Sequence, residues 1–296
     1  MTWEFTDDRA VTVRAAERPE RIVAYLRAGA GLWDLGIRPA GVYGSGHDGE
    51  RPDPAKSGGL HGQDVPYLGP GRALDAAALR SVRPDLIVDV TYDKEHAYAV
   101  DDAVAARAGI PVLALAVTGD VSLRGILGRF AELGRALGGP GADLAGDADG
   151  TPADGLAAAE DAVRTAAHGG PELRVLALSA ADRDKVYLAR PHAWPELWHL
   201  ADLGARLVDP GPGGLNWTTT TWETAAGLGA DVLLTDIRGN AARPGDLDGV
   251  PAWRALTADA TVTAWNPELP CSPRACAEFL HAVAESLTEA GGRKAP

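Results

Sequence analysis

Apolar and polar positions alternate at the start of the chain and then give way to short apolar runs separated by helical stretches. Trp3 and Phe5, an Asp7-Asp8 turn, then Val11 and Val13 predict a β-hairpin, which Pro19 ends. Ile22–Leu26 reads as a buried strand, 27–31 as a loop, and Leu32–Leu35 as a short helix ending near Gly36. Pro39–Tyr43 is the next strand, and 44–71, rich in Gly, Pro and Asp, reads as loop. Asp75 predicts the N-cap of a helix through Val82. Leu86–Val90, apolar but for Asp89, reads as a parallel strand covered on both faces. A helix over 101–109 and a strand over 111–116 follow.

From Ser122 to Leu137 the apolar residues Leu123, Ile126, Leu127, Phe130, Leu133 and Leu137 keep helical spacing. The Gly/Asp/Pro run 138–152 opposes helix, which resumes near Asp154 and reaches about His168. The second half predicts a strand over 173–178, helices over 194–204 and 222–228, and a strand over 231–235. A loop over 238–250, a strand over 261–264 and a final helix over 274–289 complete it, with 290–296 a frayed tail.

The second half restates the first. Arg21-Ile-Val-Ala-Tyr-Leu26 returns as Arg174-Val-Leu-Ala-Leu-Ser179, and Pro84-Asp-Leu-Ile-Val-Asp-Val90 as Ala230-Asp-Val-Leu-Leu-Thr-Asp236. An offset of about 150 residues is too long for a solenoid. It predicts two α/β lobes with mainly parallel sheets: residues 1–121, a connecting helical segment 122–170, and residues 171–296. Two such lobes make a cleft, where small ligands bind.

Composition narrows the partners. The net charge of −13 argues against nucleic acid, which needs a basic face. No run of 18 apolar residues is available to span a membrane. The first residues show no basic and apolar leader, so the chain as written is expected in the cytoplasm, or in the periplasm or outside the cell if a leader preceded it. Cys271 and Cys276 are too few for a disulfide framework or a zinc site. The seven His have no metal-ligand spacing. Gly29-x-Gly31 is followed by Asp34 where a dinucleotide loop needs Gly, and Gly44-Ser45-Gly46 lacks nucleophile-elbow spacing. No catalytic residue, resident metal or cofactor is expected.

The succession Arg-Pro-Glu-Arg-Ile-Val, Leu-Gly-Ile-Arg-Pro-Ala-Gly-Val, Arg-Pro-Asp-Leu-Ile-Val, Gly-Ile-Pro-Val-Leu and a Ser-opened helix resembles the iron-siderophore/vitamin B12 substrate-binding proteins of ABC importers. The resemblance runs from residue 2 to about 290. It implies the class III periplasmic-binding-protein fold: two Rossmann-like α/β lobes joined by a helical linker. It also implies a monomer that holds a siderophore, iron chelate or cobalamin-like ligand between the lobes, any iron or cobalt arriving within the ligand, and an ABC permease as partner. One carboxylate per lobe meets the permease in that family. Glu223 matches in the second lobe, but Ala77 stands at the first-lobe position with Asp75 two residues away. With the absent leader, this points to an alternative: a repurposed cytoplasmic homologue, or an enzyme or accessory protein of a biosynthetic pathway using the same cleft.

Ligands of doubly wound lobes meet the loops after the carboxyl ends of strands. There the chain places Tyr25, Arg27, Tyr92 and Lys94, then Tyr187, Arg190, His192, Trp217, Arg238 and Trp265. Aromatic rings beside guanidinium groups suit an anionic or aromatic ligand. Trp33, Trp198 and Trp253 are expected to serve packing.

Overall fold

The structure, a computed structural model, describes residues 2–139 and 152–294. Most of the 138–152 run expected to interrupt the connecting helix therefore lies outside the described residues. The chain divides into two compact units, Met1–Thr151 with Glu268–Ala275, and Pro152–Pro267 with Cys276–Pro296.

The first unit opens with the predicted hairpin, β1 (Trp3–Thr6) against β2 (Thr12–Ala15), with Phe5 opposite Val13. Its turn is fixed by Asp7, whose carboxylate accepts from the amides of Arg9, Val11 and Ala114 at 2.9 Å. The unit continues through β3 (Ile22–Tyr25), α1 (Leu26–Asp34), β4 (Gly41–Tyr43), α2 (Pro54–Ser57), α3 (Ala76–Ser81), β5 (Leu86–Thr91), α4 (Asp102–Ala108), β6 (Val112–Ala116) and α5 (Leu123–Ala136). The sheet is parallel throughout, in the order β4-β3-β5-β6. Every residue of β5 is buried, the polar Asp89 and Thr91 included. The cap residues read from the sequence cap their helices: Asp75 accepts from Ala78 N at 2.7 Å and Ser122 from Gly125 N at 3.1 Å.

The expected loop over 27–31 is instead helix, because α1 starts directly at Leu26. Its glycines serve close packing. A Cβ on Gly29 would lie 2.9 Å from Val42 Cγ1, and one on Gly31 would lie 2.9 Å from the carbonyl oxygen of Cys271. The long loop 44–71 likewise holds α2, with Pro54 at its first position and Asp53 capping Ala55 N at 3.0 Å.

The second unit contains α6 (Pro152–His168), β7 (Arg174–Ala180), β8 (Lys185–Ala189), α7 (Pro195–Asp202), β9 (Arg206–Leu207), β10 (Trp217–Thr221), α8 (Trp222–Gly227), β11 (Val232–Asp236), α9 (Pro251–Ala258), β12 (Thr261–Trp265) and most of α10 (Pro273–Lys294). Its sheet runs β10-β8-β7-β11-β12, with β9 also beside β7. The expected parallel pairing holds for three pairs, beside an antiparallel part that the sequence did not indicate. The pairs β7–β11, β11–β12 and β7–β9 are parallel, whereas β8 is antiparallel to both β7 and β10. A turn at Asp182, whose Oδ1 accepts from Asp184 N and Lys185 N, sends the chain straight back. Helix α9, not expected, is set by Pro251 at its start and by buried Trp253 and Leu256 one turn apart. Trp253 packs edge-on against Trp222 with ring centroids 5.3 Å apart. The expected frayed tail is helical through Lys294. Among the described residues, no helix is long and apolar enough to cross a membrane.

Candidate functional site

In the first unit the candidates gather at the carboxyl end of β3. Tyr25, the last residue of that strand, is fully buried, and its hydroxyl donates to Glu268 Oε1 at 2.8 Å. Lys56, only 2% exposed, sits 2.8 Å from Asp48 Oδ1, forms an ion pair with Glu268 and reaches the Tyr25 hydroxyl at 3.5 Å. Burial, reinforced by the charge of Glu268, holds the Tyr25 phenol well above its ordinary pKa. Arg27, in the first turn of α1, is buried too. It donates to the Leu269 carbonyl at 2.9 Å and to the Tyr92 hydroxyl at 3.0 Å.

Tyr92 and Tyr98 meet edge to face at 4.7 Å, and Tyr98 meets Tyr25 at 5.7 Å. The structure thus brings Tyr25, Arg27 and Tyr92 into one cluster with Tyr98. Lys94 is turned to Asp120 at 2.5 Å, and its backbone has φ 60°. Beneath the rings, Tyr43 donates to buried Asp89 Oδ2 at 2.9 Å. Burial pushes the Asp89 carboxyl up to about 6, against the opposing effect of amide donors from Val100, Val90 and Ala99.

In the second unit four rings form a continuous wall. Trp217 lies 4.8 Å from Trp194, 5.7 Å from Trp265 and 6.4 Å from Tyr187. Tyr187 is 37% exposed and Trp217 half-buried, while Trp265 is 1% exposed and Trp194 is buried. The wall therefore has two presented rings and two backing ones. The backing indoles are fixed by hydrogen bonds, Trp265 Nε1 to Glu196 Oε1 and Trp194 Nε1 to Asn216 O, both at 3.1 Å.

Antiparallel pairing puts the presented rings there. Trp217 of β10 is opposite Ala189 of β8, and Tyr187 is opposite Ser179 of β7. Arg190, just past β8, donates through Nη1 to the carbonyls of Gly213 and Gly214, bracing the loop that carries Trp217. Arg238 forks onto Asp236 at 2.8–3.1 Å, and Ser179 donates to the same carboxylate at 2.7 Å. His192 lies exposed on the turn between β8 and α7.

Glu223 is exposed in the first turn of α8. Ala77 is exposed on α3, and the neighbouring Asp75 carboxylate is engaged as that helix's cap. Cys271 and Cys276 are both buried. Among the described residues, no group of three His, Cys, Asp or Glu side chains is placed to hold a metal ion.

No family model and no curated protein matches the chain. Solved structures do. DesE, a ferric-siderophore receptor protein from Streptomyces coelicolor, superposes with a TM-score of 0.83 at 28% identity, covering 97% of this chain and 98% of its own. This is the class III periplasmic-binding-protein fold. The heme-binding protein RhuT from Roseiflexus sp. RS-1 matches with a TM-score of 0.64 at 19% identity over 92% of this chain and 99% of its own. The Fe3+-Desferal-bound siderophore binding protein FhuD from Vibrio cholerae matches with a TM-score of 0.64 at 16% identity, with the same coverage. The resemblance drawn from the order of motifs is therefore upheld by the three-dimensional fold.

The candidate set drawn from the sequence omits Lys56, Asp48 and Glu268. Asp48 and Lys56 both fall in the stretch read as loop, Lys56 on the short helix α2, whereas Glu268 lies in the second half of the chain, so only folding brings the three together. The one available signal was a lysine and a carboxylate each close after a proline, in Pro54-Ala-Lys56 and Pro267-Glu268. That pattern is too common to single out.

Proposed function

We propose that the chain is a substrate-binding protein for a siderophore-type iron chelate. The observation that carries this reading is the ring wall of the second unit. Tyr187 and Trp217 are presented, Trp194 and Trp265 back them, and Arg190 braces the loop beside them. Presented rings over a fixed aromatic backing offer a flat, polarizable surface to the organic arms of a chelate. The first unit offers a second group of rings, Tyr92 and Tyr98, anchored through Arg27. The DesE likeness supports an iron chelate over other small molecules. Binding and release need no bond-making residue, so none is assigned. In this reading Glu223, exposed on α8, is the carboxylate offered to a permease.

The test is a titration of the purified protein by intrinsic tryptophan fluorescence and calorimetry with ferric siderophores, hemin and cobalamin. Saturable one-to-one binding of a ferric siderophore, weakened about five- to thirtyfold by Trp217→Ala, is expected, since one lost stacking ring costs about 1–2 kcal/mol. Binding of none of these compounds removes the proposal.

A further inference from the structure

We infer that the second unit carries a separate docking groove, between the ends of α6 and α10, for a basic amphipathic helix of a partner protein. The groove lies wholly within that unit and is independent of the proposed chelate site.

α6 brings Ala162 and Ala166 to one wall, and α10 brings Ala284, Thr288 and Gly291 to the other. Small side chains on facing helices ordinarily let the helix axes close to about 8 Å. Here the walls stand apart instead, and a cavity of about 930 Å³ is left between them. α6 ends where Gly169 N donates to Thr165 O at 2.9 Å, and Gly169-Gly170-Pro171 continues the lining. Buried Leu173 and Leu287 give the groove an apolar floor. Leu173 directly precedes β7, whereas Tyr187 of the ring wall is opposite Ser179, six residues farther on. Six extended residues span about 20 Å, so the groove is not part of the ring wall.

Charge selects the occupant. His281, Glu285 and Glu289 recur at every fourth residue along the α10 rim, all exposed, and among the described residues no lysine or arginine lines the groove. Glu285 has no ion partner among the described residues, and Arg293 stands off from Glu289 at 3.9 Å. Neighbouring cations are engaged elsewhere: Arg164 with Asp161 and Glu160, Arg206 with Glu172, Lys294 with Asp231. Arg174, beyond Leu173, is outside the lining. Glu285 and Glu289 lie one turn apart, about 6 Å along the axis. A helix laid along the groove meets that spacing with Lys or Arg at i and i+4. From His281 to Gly292 the groove runs roughly 16 Å, three turns, which suits an apolar stripe of Ala and Leu on the incoming helix. A second copy is disfavoured, because each chain carries −13 and like copies repel.

The experiment uses the intact protein and a fluorescein-labelled synthetic helix of about 16 residues, with Ala and Leu on one face and Lys at every fourth position on its flank. The controls are a scrambled isomer of equal charge and the same peptide with Glu for Lys. Fluorescence anisotropy should show saturable binding of the Lys helix alone. Glu285→Lys combined with Glu289→Lys should weaken it at least about tenfold, and Ala166→Leu, which fills the groove, at least about fivefold. These positions lie outside the buried core, so thermal melts should match the wild type's, and the Lys pair stands as the test on its own if Ala166→Leu lowers the melting temperature. Equal binding of the scrambled isomer would reduce the effect to attraction by an acidic chain and overturn the inference. So would binding that neither variant weakens, or none at all. A dimer in sedimentation that Ala166→Leu dissociates would give the groove to a second copy and overturn it too.

Discussion

The Tyr25 hydroxyl donates to Glu268 across 243 positions of sequence, at 2.8 Å. With Lys56 this bond fastens the segment Glu268–Ala275 into the first unit, to which it belongs by contact. Lys56 is a buried cation between two buried carboxylates, so its removal should hurt more than removal of the Tyr25 hydrogen bond. Lys56→Met is expected to destabilise by about 3–5 kcal/mol, since it leaves buried charge unpaired. Tyr25→Phe should cost only about 1–2 kcal/mol. Adding Glu268→Gln to Lys56→Met should recover part of the loss. Urea unfolding of the wild type and these three variants checks this, and a double variant no better than Lys56→Met alone contradicts it.

Two glycines test the reading of α1. A Cβ on Gly31 meets backbone atoms of Cys271 at 2.9–3.0 Å, and backbone cannot step aside. Gly31→Ala should therefore destabilise by about 1–3 kcal/mol through overpacking. Gly128, exposed in the middle of α5, has nothing within 4 Å of the same position. Gly128→Ala should stabilise by about 0.5–1 kcal/mol through helix propensity. Thermal melts of both variants decide the matter, and an unchanged Gly31→Ala protein would remove the packing account.

The same glycines show what the sequence could and could not express. Elements marked by local chemistry were legible: the Asp7 turn, the caps at Asp75 and Ser122, the apolar run of β5. The first turns of helix α1 were not, because Gly29 and Gly31 carry one local meaning, flexibility, and a different one in three dimensions, closeness. β8 and β10 went unread: β8 follows β7 through the short Asp182 turn, and β10 pairs with β8 only after α7 and β9 intervene. Even so, Trp217-Thr-Thr-Thr-Thr221 is a β-branched run that suits a strand. Of the candidate site residues, Tyr187, Trp217 and Trp265 do meet, and so do Tyr25, Arg27 and Tyr92. Their partners Glu196 in the first turn of α7, Asp236 at the end of β11 and Glu268 beyond β12 were invisible, since acidic residues at the ends of elements are ordinarily solvated.

Asp89 gives a pH prediction with a definite sign. Burial raises its carboxyl to about 6, from an ordinary value near 3.9. Between those values the folded protein holds a proton that the unfolded chain releases. The stabilisation is therefore complete below the ordinary carboxylate range and lost as pH rises through about 6. A rise of that size corresponds to roughly 3 kcal/mol. Asp89→Asn removes the titration while keeping an acceptor for Tyr43. Measured by urea midpoints from about pH 4.5 to 7.5, the variant should gain on the wild type as pH rises. Parallel curves would show that Asp89 does not titrate in this range.

The ring wall and its arginine can be separated by substitution. Trp217 presents its ring and touches Tyr187, Trp194 and Trp265, so Trp217→Ala removes both a contact surface and the contact among its neighbours. Arg190 acts on the same site by a different route, bracing the Gly213-Gly214 loop through its carbonyls. For an anionic ligand, Arg190→Ala would cost about 1.5–3 kcal/mol, the range for charge-assisted bonds. For a neutral chelate it should cost less than about 1 kcal/mol and leave the salt dependence unchanged, because only loop order is lost. Trp217→Ala should then be the more damaging of the two. Calorimetry of both variants with a ferric siderophore that binds the wild type, at two salt concentrations, separates the cases. An Arg190→Ala loss that exceeds the Trp217→Ala loss and shrinks at high salt would return the guanidinium to a direct ionic role.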